Sequence, residues 1–271
     1  MSLKDVLILS VSELYCHNAK NTFFLDKELY NNTKDSRRFK YKYYPNGSLK
    51  QKTEYCMQGR NVIWHGLHCT YHSNGNRHVE CTYKNNVITG ELCRYHPNNG
   101  KLAFKCTYDE NGERHGIVME WYENGQLNEE CTYVHGKKEG LCRMWYNTGE
   151  LQAECNYVND KMDGLHRKWH KNGQLSQECT YVNDKMNGLC REWFNDSRLR
   201  SQSTFKNGEL HGVLHEWYEN GQMKIEGTFV NGQKDNCLIT WNDDGSLLSK
   251  SHYKYGNLLK ISFMDSDDED Y

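Results

Sequence analysis

The sequence predicts an all-β protein: an elongated single antiparallel sheet of stacked β-hairpins, about nine repeats of 24 residues. Three observations predict it. Segments such as NGQLNEECTYVHGKKEGLCRMWY, TGELQAECNYVNDKMDGLHRKWH and NGQLSQECTYVNDKMNGLCREWF recur along the chain. Within each, apolar and polar residues alternate with period two, the strand period. Asn-Gly and other glycine-bearing links separate the alternating runs, as turns do. A period of this size stacks one small supersecondary unit many times, so function is expected on a repeated surface and not in a single catalytic pocket.

The elements follow in chain order. Residues 1–42 are expected to be an N-terminal cap and a degenerate repeat, because a terminal hairpin exposes an unpaired edge. Val6, Leu7, Leu9, Val11 and Leu14 supply apolar groups for a short helix or strand there, and Phe39, Tyr41 and Tyr43 alternate further on. The run SRRFKYKYY is a charged edge strand or a phosphate contact. Residues 43–263 are the repeat array. One glycine series runs Gly47, Gly75, Gly100, Gly125, Gly149, Gly173, Gly221 and Gly245, with Ser197 in the skipped slot. A second runs Gly66, Gly90, Gly116, Gly140, Gly164, Gly188 and Gly212, then Asn236. Between them lie sets such as Leu151, Ala153, Cys155, Tyr157 and Leu141, Arg143, Trp145. Stacking aligns like residues into ladders: tyrosine or phenylalanine eight residues after the first glycine, Tyr or Trp in a second aromatic slot, leucine in an apolar slot. A well-buried ladder residue contributes ~1.5–3 kcal/mol, and neighbouring hairpins supply the face that one hairpin lacks. Residues 264–271 form an acidic tail, expected to be disordered and suited to a basic partner or to the basic edge, with Ser266 set among acids.

The pattern G-xL-xxE-xxY-xxGxxxG-xxxxW over residues 43–263 resembles the MORN repeat, in the longer variant of bacterial YwqK-like antitoxin proteins. That resemblance implies stacked hairpins with a groove along one face, and roles in scaffolding, protein docking or membrane association instead of chemistry. Departures fall at Ser197 and Asn236, and the step from Gly47 to Gly75 is 28 residues. Asparagine richness, proline scarcity and cysteine number also resemble repeat proteins of large DNA viruses.

Composition agrees. Hydrophobic content is only 37% while aromatics reach 13%, as suits a thin sheet with little interior. Length alone would suggest one or two domains, a division that a repeat array does not need. A formal charge of −2 gives no basic field for nucleic acid or anionic lipid. No run approaches 18 apolar residues, so no membrane-spanning helix is expected, and residues 6–9 are too short for a signal-peptide core.

Chemistry-bearing residues are numerous but repeat with the hairpins. Cys106, Cys131, Cys155 and Cys179 share one column whose members stand roughly 9–10 Å apart, too far for disulfides. They are expected to be small buried groups, with Cys142 and Cys190 on the opposite face and Cys81 facing Cys93. Reduced cysteines imply an intracellular protein. No CxxC pair prepares a zinc knuckle. His211 and His215, like His166 and His170, are four apart, which separates them by about 13 Å on a strand; they are expected to be exposed. Glu80, Glu130, Glu154, Glu178 and Glu226 form a solvated column and no acid–base pair. No Walker loop, dinucleotide fingerprint or GxSxG elbow appears, so neither enzymatic activity nor a cofactor is expected.

One column suggests binding. Arg143, Arg167 and Arg191 share a strand face with Trp145, Trp169 and Trp193, and are expected to stand opposite Cys131, Cys155 and Cys179. Arginine and tryptophan are the residues that most often carry interface energy. These six are the candidate partner-binding residues, lining a groove for an extended or acidic protein segment. The competing structural account pairs the arginines internally, with Glu129 or its counterparts, over aromatic rings. Alternative functions are antitoxin-like inhibition of a partner enzyme, membrane-surface binding, and self-association.

Overall fold

The computed structural model describes residues 37–263; the apolar N-terminal stretch and the acidic tail with Ser266 lie outside them. The described residues form nineteen strands and no helix, and every strand pairing is antiparallel. The chain divides into two compact units, Met1–Gly125 and Gln126–Tyr271.

In the first unit, β1 (Arg38–Tyr43), β2 (Leu49–Gln58), β3 (Asn61–Tyr71), β4 (Arg77–Lys84), β5 (Val87–Tyr95), β6 (Leu102–Tyr108) and β7 (Gly116–Trp121) pair each with the next. The SRRFKYKYY run thus supplies β1. The 28-residue step is a longer hairpin, β2 with β3, paired down to Gln58 opposite Asn61.

The second unit repeats more regularly. Its strands are β8 (Leu127–Val134), β9 (Lys137–Trp145), β10 (Leu151–Val158), β11 (Lys161–Trp169), β12 (Leu175–Val182) and β13 (Lys185–Trp193). They continue with β14 (Leu199–Lys206), β15 (Glu209–Trp217), β16 (Met223–Val230), β17 (Gln233–Trp241), β18 (Leu247–Lys254) and β19 (Asn257–Ser262). Again each pairs with the next in sequence.

Two local devices recur in most of the hairpins. The first is the turn. Asn159 and Asp160 have φ of 50° and 67°, and Asn183 and Asp184 have 49° and 66°. Two successive left-handed residues make a type I′ turn, whose twist matches that of the strands. The carboxylate of Asp160 then accepts from the Lys138 amide at 2.7 Å, while its own amide donates to the Lys138 carbonyl at 3.0 Å. Asp184 repeats both bonds on Met162. The turn of one hairpin is thereby tied to the hairpin before it.

The second device is an insertion in the strand after the turn. Tyr157 faces Met162 and Cys155 faces His166, so residues 163–165 stand across from Asn156 alone. The middle residue, Gly164, has φ 107°, which a side chain adopts only with strain. Two extra residues preserve the alternation of faces but move the register of everything beyond them.

The observed register, set by turn and insertion together, corrects four expectations. Arg143, Arg167 and Arg191 face Glu130, Glu154 and Glu178, not the cysteines. Cys142 and Cys190 face Cys131 and Cys179 and so share their side of the sheet. Cys81 faces Leu92, and Cys93 faces Glu80. Disulfides do form, across the two strands of one hairpin instead of between hairpins: Cys131–Cys142 and Cys179–Cys190, with Cα atoms 4.2 and 4.1 Å apart.

Candidate functional site

The second unit presents two unlike faces. On one, a row runs straight across six strands, in the order Cys131, Cys142, Cys155, His166, Cys179, Cys190. All but Cys155 are buried, and Cys155 is half-buried. Two positions along the strands, Tyr157 and Tyr181 lie over this row. His166 meets Tyr181 edge-on at 5.5 Å, and the Lys138 ammonium sits 5.2 Å from the Tyr157 ring while bonding Glu129 at 3.0 Å. Burial raises the Cys155 pKa; burial, then the neighbouring Lys168 charge, lowers that of His166. His166 is therefore a buried neutral imidazole and not the exposed strand histidine its spacing suggested. His170 takes a different role, its Nε2 lying 3.0 Å from the Trp193 carbonyl.

The other face carries the candidate residues. Arg167 donates from Nε to Glu178 at 2.8 Å and from Nη1 to Glu154 at 3.3 Å. Arg143 lies 3.7 Å from Glu154 and 4.0 Å from Glu130. Arg191 donates to Gln202 at 3.0 Å. The hydrogen bond that Arg167 donates to Glu178 is the main cause of its raised pKa. The carboxylates that hold the arginines are thus Glu130, Glu154 and Glu178, while Glu129 is engaged by Lys138. Positive and negative groups alternate across neighbouring strands, so the strip has little net charge. The side chains stay substantially exposed, at 43% for Arg143 and 38% for Arg167. Ion pairs this wet contribute only ~0–1 kcal/mol each to stability.

Trp145, Trp169 and Trp193 fall on the arginine side by strand alternation and are half-exposed. Each faces a leucine across the strand gap: Leu151, Leu175 and Leu199. The carbonyl of Trp169 accepts from the Tyr146 hydroxyl at 2.8 Å, and that of Trp241 from the Tyr218 hydroxyl at 2.9 Å. On the opposite flank of the arginines lie Leu141, Leu165, Leu189 and Val213, between 37% and 44% exposed. The strip therefore reads across as aliphatic, charged and aromatic lanes, repeated hairpin by hairpin.

The six candidate residues are brought together as one strip. What sequence reasoning missed is the buried row and the inter-hairpin role of Asp160 and Asp184. The signal was present: counting back from the Asn-Asp turn and allowing two residues at the glycine gives the register.

The family model described as "MORN repeat variant" matches residues 40–57, 64–85, 114–135, 138–159, 162–183 and 210–231. The segments it passes over include those with Ser197 and Asn236. These residues have φ of 68° and 65°, adopting in place of glycine the left-handed conformation those slots require. No curated protein matches the chain. Among solved structures, a chain of "Crystal Structure of TcdB2-TccC3-Cdc42" aligns at 11% identity and a TM-score of 0.21, over 84% of this chain and 17% of that one. So slight a likeness bears on neither fold nor function. The six matched segments, each a strand, a turn and a strand in the positions described above, make this chain a repeat protein of the MORN variant family.

Proposed function

We propose that the chain is a non-catalytic scaffold that docks an extended protein segment along the strip of Arg143, Arg167, Arg191, Trp145, Trp169 and Trp193. The observation that carries this reading is the repetition of half-exposed aliphatic, charged and aromatic lanes at the spacing of the hairpins. Side chains on an extended segment would meet equivalent neighbours at each hairpin. The aliphatic and indole lanes supply contact area, and the guanidinium groups can exchange a carboxylate of the strip for one of the partner. Because the strip is close to neutral, affinity should depend less on salt than a bare arginine ladder would.

The test is comparative capture from native lysate by the wild-type chain and by the Arg143→Ala/Arg167→Ala/Arg191→Ala variant. Arg167→Ala alone is expected to lower stability by no more than ~1 kcal/mol, as for a solvent-exposed ion pair. A protein retained by the wild type and lost from the folded triple variant supports the strip. Identical capture by both removes it.

A further inference from the structure

The row Cys131, Cys142, Cys155, His166, Cys179, Cys190 has no part in the docking strip, since it lies on the other face. It consists of three facing pairs in three consecutive hairpins: Cys–Cys, Cys–His and Cys–Cys. The next two hairpins place Ser203 with Leu214 and Gly227 with Leu238 in the same positions, so the soft donors stop there. The central pair holds an unexplained group. His166 is only 9% exposed, and its Nδ1 has no hydrogen-bond partner. A buried polar nitrogen left unpaired is costly.

Thiolates and imidazole nitrogen together select thiophilic metal ions. The geometry of the row narrows the choice. Donors lie on adjacent strands, about 4.8 Å apart, so four in sequence extend over about 14 Å. They cannot all reach one ion at the ~2.3 Å of a zinc–sulfur bond, which rules out a closed tetrahedral zinc site. Two donors on neighbouring strands can hold one ion between them. We propose that the reduced row binds a monovalent d10 cation of the Cu(I) type in two-coordinate fashion, with up to one ion for each facing pair.

Formation of the site is linked to oxidation state. A dithiol reductant donates two electrons and two protons to each of the bonds Cys131–Cys142 and Cys179–Cys190, and is itself oxidised to its cyclic disulfide. Each Cys–Cys pair then releases two thiol protons as it takes up one ion. At the central pair, Cys155 releases one proton and the Nδ1 lone pair of His166 supplies the second donor. Oxidation of the outer pairs withdraws four of the six donors.

The full chain, reduced under anaerobic conditions and freed of reductant, would be titrated with Cu(I) in competition with bicinchoninate. Intrinsic tryptophan fluorescence would confirm that each variant is folded. The wild type is expected to hold Cu(I) against the chelator. Cys131→Ser/Cys142→Ser, and separately Cys155→Ser/His166→Ala, should each lose one equivalent. Cys56→Ser/Cys93→Ser, in the other unit, should lose none, because Cys56 faces Ile63 and Cys93 faces Glu80 and Lys105. Zn(II) offered in place of Cu(I) should bind weakly or not at all. Failure to retain Cu(I), or equal losses in the row and control variants, would overturn the proposal. So would saturation by Zn(II) at the same stoichiometry.

Discussion

Asp160 and Asp184 show how much one side chain does in a repeated fold. Each takes a left-handed φ that most residues avoid, and each offers a carboxylate to an amide of the preceding hairpin. Other copies of the turn place glycine here; Gly208 keeps the backbone bond, to the Met186 carbonyl at 2.8 Å, and has no carboxylate. Asp160→Ala should therefore destabilise by ~1–3 kcal/mol, combining left-handed strain with a lost hydrogen bond. Asp160→Gly should cost less, because it removes only the hydrogen bond. Urea midpoints of the two variants would rank them, and equal losses would deny the conformational contribution. Ser197 is the reverse case. It holds φ 68° in a slot that is elsewhere glycine, so Ser197→Gly should stabilise by ~1 kcal/mol in the same measurement.

At the scale of the element, the glycine insertion decides what each strand presents. In the hairpin of β10 and β11 it sets Arg167 opposite Glu154 and His166 opposite Cys155. A Cβ on Gly164 would meet Asn156 only at ordinary contact distance, so the constraint is the φ of 107° and not space. Gly66 differs, because a Cβ there would run into the Glu54 carboxylate that accepts from the Leu67 amide at 2.9 Å. Gly164→Ala is expected to cost ~1–3 kcal/mol. Gly164→Asn should be milder, since Asn236 occupies the equivalent slot with φ 65°. If alanine were as well tolerated as asparagine in thermal unfolding, backbone strain at the insertion would not be what holds the register.

At the scale of the molecule, stability should depend on pH through its buried imidazoles. Burial lowers the pKa of His166 in the second unit and of His68 in the first. A histidine whose folded pKa is depressed takes up its proton more readily when unfolded. Its contribution is complete above the unfolded value of about 6.5 and is lost as pH falls below it. Acidification from pH 7.5 to 5.5 should therefore lower the urea midpoint. His166→Leu should reduce that dependence. A midpoint indifferent to pH in the wild type would show that His166 is not held neutral.

Period, strand alternation and turn chemistry are local properties, and the sequence alone determined them. The 24-residue recurrence, the alternation of Leu151, Ala153, Cys155 and Tyr157, and the Asn-Asp and Asn-Gly links are enough for stacked hairpins and for the lanes of Arg143, Arg167, Arg191 and their tryptophans. Register is not local. It is the sum of a turn and an insertion, and an error of one residue carries every side chain to the other face of its partner strand. For this reason the arginines face Glu130, Glu154 and Glu178, and five cysteines and a histidine close into one buried row. Only the tertiary structure decided these pairings, because a strand's partner residue depends on how two residues at a left-handed glycine are accommodated, not on what the strand itself contains.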